Sequence, residues 1–248
     1  MIILKSDEEI KLMREAGRIV AECHEMLADV IKPGVDTLTL DQLVEEKIRS
    51  RGAIPSFKGH QGFPASICVA RNEVICHGFP DSNRLMEGDV VTIDLGACYK
   101  GYHGDSGWTY AVGEISRERK QLMKVCHQSL LLGIDQAREG KRIGDIGYAI
   151  DMNAKKFGYG NVKEFSGHGI GKDIWEEPSV PNYGMKEKGT RLKKGMVIAI
   201  EPMFTLGGWR AVIESDGWTA RTVDRSICVQ FEHTVAITDN GPQILTIL

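Results

Sequence analysis

The sequence predicts an α+β fold made of two related halves packed about a pseudo-two-fold axis. Three observations predict it. A helix–helix–strand order runs through the first part of the 248 residues and then runs again. Arg84–Asp94 (RLMEGDVVTID) aligns without a gap on Arg191–Glu201 (RLKKGMVIAIE), 107 residues later, with Arg, Leu, Gly, Val and Ile shared among eleven columns. A weaker echo sets Phe57–His60 (FKGH) beside Phe165–His168 (FSGH). Two such halves leave a cleft at their join. No linker rich in Pro, Gly or Ser separates them, so residues 1–248 are expected to form one domain with halves at about 1–113 and 114–248.

The elements follow in order. Ser6-Asp7-Glu8-Glu9 has capping-box spacing and opens an apolar series at Ile10, Met13, Ile19, Val20, Cys23, Leu27, Val30 and Ile31. Lys32-Pro33-Gly34 stops that helix. Thr39 and Gln42 repeat the cap spacing, so a second helix carrying Leu40, Leu43, Val44 and Ile48 is expected from near Thr39 to Gly52. From Ala53 to Tyr110 the texture changes to short β-rich runs (SICVA, DVVTIDLG, WTYAV) between turns. Ser116 opens a third helix through Leu122, Val125, Cys126, Ser129 and Leu132 that ends at Gly140, and a fourth covers Ile143 to Phe157 before Gly158. The strand-like runs GMVIAIEPMF, SICVQFEHTVAIT and PQILTIL close the chain.

Composition excludes several classes. Lys and Arg number 31 against 34 Asp and Glu, a net charge of −3, and 42% of the residues are hydrophobic. A dominantly disordered chain and a strongly basic nucleic-acid binder are both excluded, so no DNA partner is expected. Aliphatic runs stop at MVIAI, far short of the roughly 20 residues of a membrane span. The N-terminus has a short apolar start, then turns acidic, and lacks the basic n-region and the h-region of a signal peptide. The 6 cysteines form no CxxC pair, which reads as reduced thiols in the cytoplasm and gives no support to a thiolate zinc site.

Five residues carry possible chemistry. Asp94 ends the run VVTID, and Asp105 lies between glycines in GYHGDSGWTY; alone, each reads equally well as a turn residue. His168 is surrounded by glycines in FSGHGIG, which lets backbone come close to whatever the imidazole touches. Glu201 follows MVIAI and precedes Pro202, and Glu232 sits within CVQFEHTVAIT, sharing a face with Cys228, Gln230 and Thr234. A carboxylate among apolar strand residues needs a partner. If the axis of the repeat brings Asp94 and Glu201 together, repulsion must be offset, and two divalent cations balance four carboxylates. Oxygen-rich ligation with one imidazole suits Mn²⁺, Fe²⁺, Co²⁺ or Zn²⁺. Paired metals of this kind perform hydrolysis at a carbonyl. HExxH, GxSxG and the P-loop are absent.

The motif order VTIDLGA, GYHGDSGWTY, SGHGIG, AIEPM and QFEHT resembles the five-ligand signature of the bacterial type I methionine aminopeptidases, and the likeness runs from the first helix to the last strand. The resemblance implies the "pita-bread" (creatinase/aminopeptidase) fold with a central metal cleft. It implies Asp94 on one of two divalent ions, Asp105 and Glu232 bridging both, and His168 and Glu201 completing the other site. Glu201 is then also the proton shuttle in hydrolysis of the first peptide bond. His77, in VICHGFP, matches the histidine that stands by the metals and holds the substrate. Phe57, His60, Phe63, Cys68 and Trp218 match the methionine pocket, a soft apolar slot suited to a thioether.

One position departs from the pattern. In GHGIGKDIWEEP, Trp175 stands where the family has a second histidine that hydrogen-bonds the substrate peptide group, and Ile174 stands beside it where an aromatic is common. Indole donates one hydrogen bond and accepts none. The family activity implies nascent polypeptide N-termini with a small second residue as substrates, in the cytoplasm near the ribosome, with a monomeric enzyme and no membrane. Trp175 leaves two alternatives: a weakened or respecialised relative acting as a binding module, or an Xaa-Pro-type peptidase. Members of the latter group usually carry a further N-terminal domain.

Overall fold

The computed structural model describes residues 1–248. Four long helices carry the repeat. Helix α1 spans Asp7–Val30, and its capping box forms as expected: Glu9 N–H donates to Ser6 Oγ at 3.3 Å, and Ser6 N–H donates to Glu9 Oε2 at 2.8 Å. It buries Met13, Ala16, Ile19, Val20, Cys23 and Leu27, so one apolar stripe faces the sheet. Helix α2 spans Thr37–Ser50, starting earlier than expected. Asp36 is the cap, and Thr39 lies inside the first turn with its N–H donating to Asp36 Oδ1 at 2.9 Å. Helix α3 spans Arg117–Gln136 from the Ser116 cap. It ends before Gly140, which instead turns the chain at φ 87 and donates to Leu192 O. Helix α4 spans Ile143–Phe157 and stops at left-handed Gly158, as expected.

The duplication reaches the backbone. An isolated antiparallel bridge joins Asp36, just before α2, to Arg84; its counterpart joins Arg142, just before α4, to Arg191. Arg84 and Arg191 are the first column of the internal match. The last column falls within a strand at Asp94 and just past the end of the equivalent strand at Glu201. Val90–Tyr99 is central in the first sheet, between Ile67–Arg71 and Tyr102–Ala111. Val197–Ile200 is central in the second, between Ser166–Gly169 and His233–Thr238.

The two sheets meet directly. Glu232 N–H donates to Gly107 O at 2.8 Å, Asp105 N–H to Thr234 Oγ1 at 3.0 Å, and Thr234 Oγ1 returns a bond to Asp105 O at 2.8 Å. A bridge between Trp108 and Phe231 extends the join. Behind it, α1 lies hard against the Tyr102–Ala111 strand. A Cβ on Gly104 would stand 2.6 Å from Gly17 N, so only glycine lets these backbones approach. One apolar core of 22 residues packs under α3 and α4, and another of 18 under α1 and α2. A third cluster, with Met13, Phe57, Phe63, Cys68, Ile170 and Ala236, spans both halves.

Three expectations about strands are corrected. Asp94 and Asp105 lie within long strands rather than at a strand end and a turn. The reason is a tight hairpin at Lys100-Gly101, both at positive φ (50 and 84), which pairs Val90–Tyr99 with Tyr102–Ala111 along its whole length. The run SICVQFEHTVAIT is broken. Cys228–Gln230 pairs with Met203–Thr205, and His233–Thr238 pairs with Val197–Ile200, so Glu232 sits where the chain changes sheets. The terminal run is shorter than expected, with only Gly241–Ile244 in a strand.

Candidate metal centre and active site

Four carboxylates converge at the join, three of them buried and Asp94 partly so. Asp94 projects from mid-strand opposite Gly107, and Asp105 from the paired strand. Glu201 follows the end of the equivalent strand, and Glu232 sits at the change of sheet. Asp105 and Glu232 are 2% and 1% exposed, and Glu201 is 9% exposed. A Cβ on Gly107 would lie 3.2 Å from Glu232 Oε2, so the glycine makes room for the carboxylate. Asp94 Oδ1, Asp105 Oδ1 and Glu232 Oε1 are buried without a hydrogen-bond partner.

The electrostatics follow from this crowding. Burial pushes Asp94 up to about 7. Burial drives Asp105 well above the ordinary carboxyl range, and the charges of Asp94 and Glu201 add to the shift. Glu201 and Glu232 are raised by the same causes, burial first. Asp94 and Asp105 lie within hydrogen-bonding reach of each other, so a proton kept on one is shared.

His168 completes the group. Its Nδ1 is 2.8 Å from Gly169 O and its Nε2 is 3.7 Å from Asp105 Oδ2 and 3.9 Å from Glu201 Oε1. Burial holds its pKa down to about 4, so the ring is neutral. Nδ1–H donates to the carbonyl, and the Nε2 lone pair faces the acids. Ligand atoms of Asp105, His168 and Glu232 all lie within 4.8 Å of one another. Orphaned buried oxygens, an excess of like charge and one imidazole lone pair together fit a divalent cation.

All twelve residues singled out from the sequence line one cavity. The five acid and imidazole groups form one wall, with His77 beside them; Phe57, His60, Phe63, Cys68, Trp175 and Trp218 form the rest. Phe63 organises the apolar side, edge-on to Trp218 at 5.2 Å between ring centroids and to Phe57 at 6.4 Å. His77 is held at φ 58, in a turn where a Cβ on Gly78 would strike Val69 O at 2.2 Å. Burial lowers its pKa. Its ring stands perpendicular to Phe165 at 5.6 Å. Trp175 is 39% exposed, edge-on to His60 at 4.8 Å. A second, outer cleft shares His77, His168, Trp175 and Glu201 with the first and continues past Phe165, Ser166 and Ser179.

The sequence reading missed two supporting residues. Gln230 Nε2 donates to Glu201 Oε2 at 3.2 Å, and Asn182 Nδ2 donates to Glu201 O at 3.0 Å. Gln230 carried a signal, since it shares a face with Glu232 in CVQFEHT. Asn182 carried none, because only the fold brings it near.

Comparison with known proteins places the chain. The model of metallopeptidase family M24 matches residues 11–239. Methionine aminopeptidase 1 of Bacillus subtilis (strain 168) is 50% identical over 246 residues, covering 99% of each chain. The crystal structure of methionine aminopeptidase from Rickettsia prowazekii superposes with a TM-score of 0.98 at 39% identity, covering 100% of both chains. Prolidase from Pyrococcus furiosus superposes with a TM-score of 0.82 at 27% identity, over 99% of this chain but 66% of the prolidase. The fold is the pita-bread fold shared by both groups. No helix is long and apolar enough to cross a membrane. The chain belongs to metallopeptidase family M24.

Proposed function

We propose that this protein removes the N-terminal methionine from peptides and nascent polypeptides whose second residue is small. One observation carries the reading: a buried cluster of four carboxylates and one imidazole opens directly onto an apolar, aromatic slot in the same cavity. The cluster gives the chemistry and the slot gives the choice of residue. Asp94, Asp105 and Glu232 would hold one divalent ion, and Asp105, Glu232, His168 and Glu201 a second, with Mn, Fe, Co or Zn suited to the donors. When bound, such ions acidify water and polarise a carbonyl oxygen.

The chain's own residues do the rest. Glu201, raised by burial, takes a proton from the attacking water and returns it to the leaving amine through its carboxylate oxygens. Gln230 fixes which oxygen is free for this by holding Oε2. His77, kept neutral by burial, hydrogen-bonds the peptide group under attack. Phe57, Phe63, Cys68 and Trp218 enclose the thioether and exclude water from it. The passage to the outer cleft runs between His77, His168 and Trp175, which favours a small second residue.

Both halves supply ligands, so the catalytic unit is the whole of residues 1–248. The enzyme acts as a monomer in the cytoplasm, where nascent chains leave the ribosome. The test is a peptidase assay on Met-Ala-Ser with a metal titration. Chelation with EDTA is expected to abolish methionine release, and Mn²⁺, Fe²⁺ or Co²⁺ to restore it. Met-Lys-Ser is expected to react slowly or not at all. Full activity in chelator, or equal turnover of both peptides, overturns the reading.

A further inference from the structure

The wall of the slot holds one polar atom that the reading above leaves unused. His60 Nε2 is shut off from solvent and has no hydrogen-bond partner. Such an atom is costly unless something that binds there satisfies it. The ring is not loosely placed. His60 N–H donates to Phe57 O at 2.9 Å, Phe63 N–H to His60 O at 2.9 Å, and Gly59 N–H to Phe63 O at 2.8 Å, so the turn that carries it is closed on itself. Gly59 at φ 85 and Gln61 at φ 49 make that closure possible.

Position decides what His60 meets. The slot takes the first residue of a substrate and the outer cleft takes the remainder, so the first peptide group must lie at their junction. The residues common to both cavities mark that junction: His77, His168, Trp175 and Glu201. His60 stands edge-on against Trp175, 4.8 Å between centroids, on the slot side of it. Of the other groups at the junction, His77 and Glu201 already have parts in the proposed hydrolysis, and the remaining two are committed or limited. His168 spends Nδ1 on Gly169 O and turns Nε2 to the acids. Trp175 can only donate. An imidazole, by contrast, offers a donor and an acceptor.

We infer that His60 Nε2 hydrogen-bonds the first peptide group of the substrate and fills the role that Trp175 leaves open. The inference rests on the aminopeptidase reading of this cavity. The histidine at the junction then comes from the Phe57–Phe63 turn instead of position 175. His60 is then a substrate-binding residue, and Trp175 packs against it as its support.

The experiment is a mutant cycle on the metal-loaded enzyme with Met-Ala-Ser, using His60→Phe, His60→Asn, Trp175→His and the double variant His60→Phe/Trp175→His. His60→Phe is expected to lower kcat/KM about tenfold or more, as loss of a substrate hydrogen bond does. His60→Asn, which keeps a donor and an acceptor, is expected to lose less. In the wild-type background, where His60 already serves the peptide group and loses the ring that supports it, Trp175→His is expected to bring no gain in kcat/KM, but in the His60→Phe background to recover most of the loss, a coupling that independent sites do not show. A merely structural role for His60 cannot produce that rescue. If His60→Phe does not fold, His60→Asn/Trp175→His completes the same cycle. A wild-type enzyme that releases methionine while His60→Phe stays within about twofold of it, or equal effects of Trp175→His in both backgrounds, overturns the inference alone. A wild-type enzyme that releases no methionine overturns both the inference and the function it rests on.

Discussion

His168 has Nδ1 2.8 Å from the carbonyl of Gly169, and this contact fixes what its other nitrogen can do. Nε2 must present a lone pair, and it faces Asp105 and Glu201. Glu201 is held in the same manner, with one oxygen engaged by Gln230 and its backbone carbonyl by Asn182. Position is thus set by bonds that leave the reactive atoms free. Replacing Glu201 with Gln keeps shape and hydrogen bonding but removes the proposed proton acceptor. Glu201→Gln is expected to lower kcat by about 10²–10⁴-fold while KM moves only slightly. Steady-state kinetics at saturating metal check it. A change in KM with kcat intact removes Glu201 from proton transfer.

At the scale of elements, the active-site turn Gly171–Trp175 is anchored from the far end of the chain. Lys5 Nζ pairs with Glu176 Oε2 at 2.5 Å, with side chains 3% and 6% exposed. Lys5 N–H also donates to Gly195 O, and Glu176 Oε1 accepts from Asp173 N–H. The amino-terminal segment therefore holds the turn that carries Trp175. Removing one member of a buried pair leaves the other charge without compensation. Lys5→Met is expected to cost about 3–5 kcal/mol in denaturant unfolding and to raise KM through Trp175. A loss below about 1 kcal/mol shows the pair to be screened like a surface bridge. Nothing in the sequence announces this pair, because its members are 171 residues apart. Local signals were legible where a side chain acts on its own backbone, as at the Ser6 and Ser116 caps. At α2 two caps competed, and Asp36 prevails because its carboxylate reaches both the N–H and the hydroxyl of Thr39. The Lys100-Gly101 hairpin is written in the sequence, but without the pairing it imposes Asp94 reads as a strand end and Asp105 as a turn residue. The break before His233 was not legible, since it depends on Gly107 O and Trp108 in the other half. The site residues themselves came from motif order, and the repeat alone foretold only that Asp94 and Glu201 are equivalent.

For the whole molecule, the acid cluster is a cost that folding carries and that the proposed metal ions would remove. Asp94, Asp105, Glu201 and Glu232 all have folded pKa values above those of an unfolded chain, Asp94 at about 7. In the metal-free protein the folded state therefore binds more protons than the unfolded state above the ordinary carboxyl range. Stability from these groups is fully present below about pH 4 and is lost as pH rises through the folded values. Buried histidines act in the opposite sense. Burial lowers His24 and His168 to about 4 and His233 to about 3, so they withdraw stability as pH falls from about 6.5 toward those values. The metal-free protein is squeezed from both sides. Divalent ions held as proposed would cancel the carboxylate part and leave the His24 and His233 part untouched, because ligands must be deprotonated to bind. The stability gap between metal-loaded and chelated protein is accordingly expected to widen steadily from about pH 5 to about pH 8. Metal binding near neutral pH should release protons, measured as a dependence of the calorimetric heat on the ionisation enthalpy of the buffer. A gap that stays constant or narrows with pH, together with no proton release, means that the four carboxylates are already ionised in the folded chain and that burial does not govern their charge.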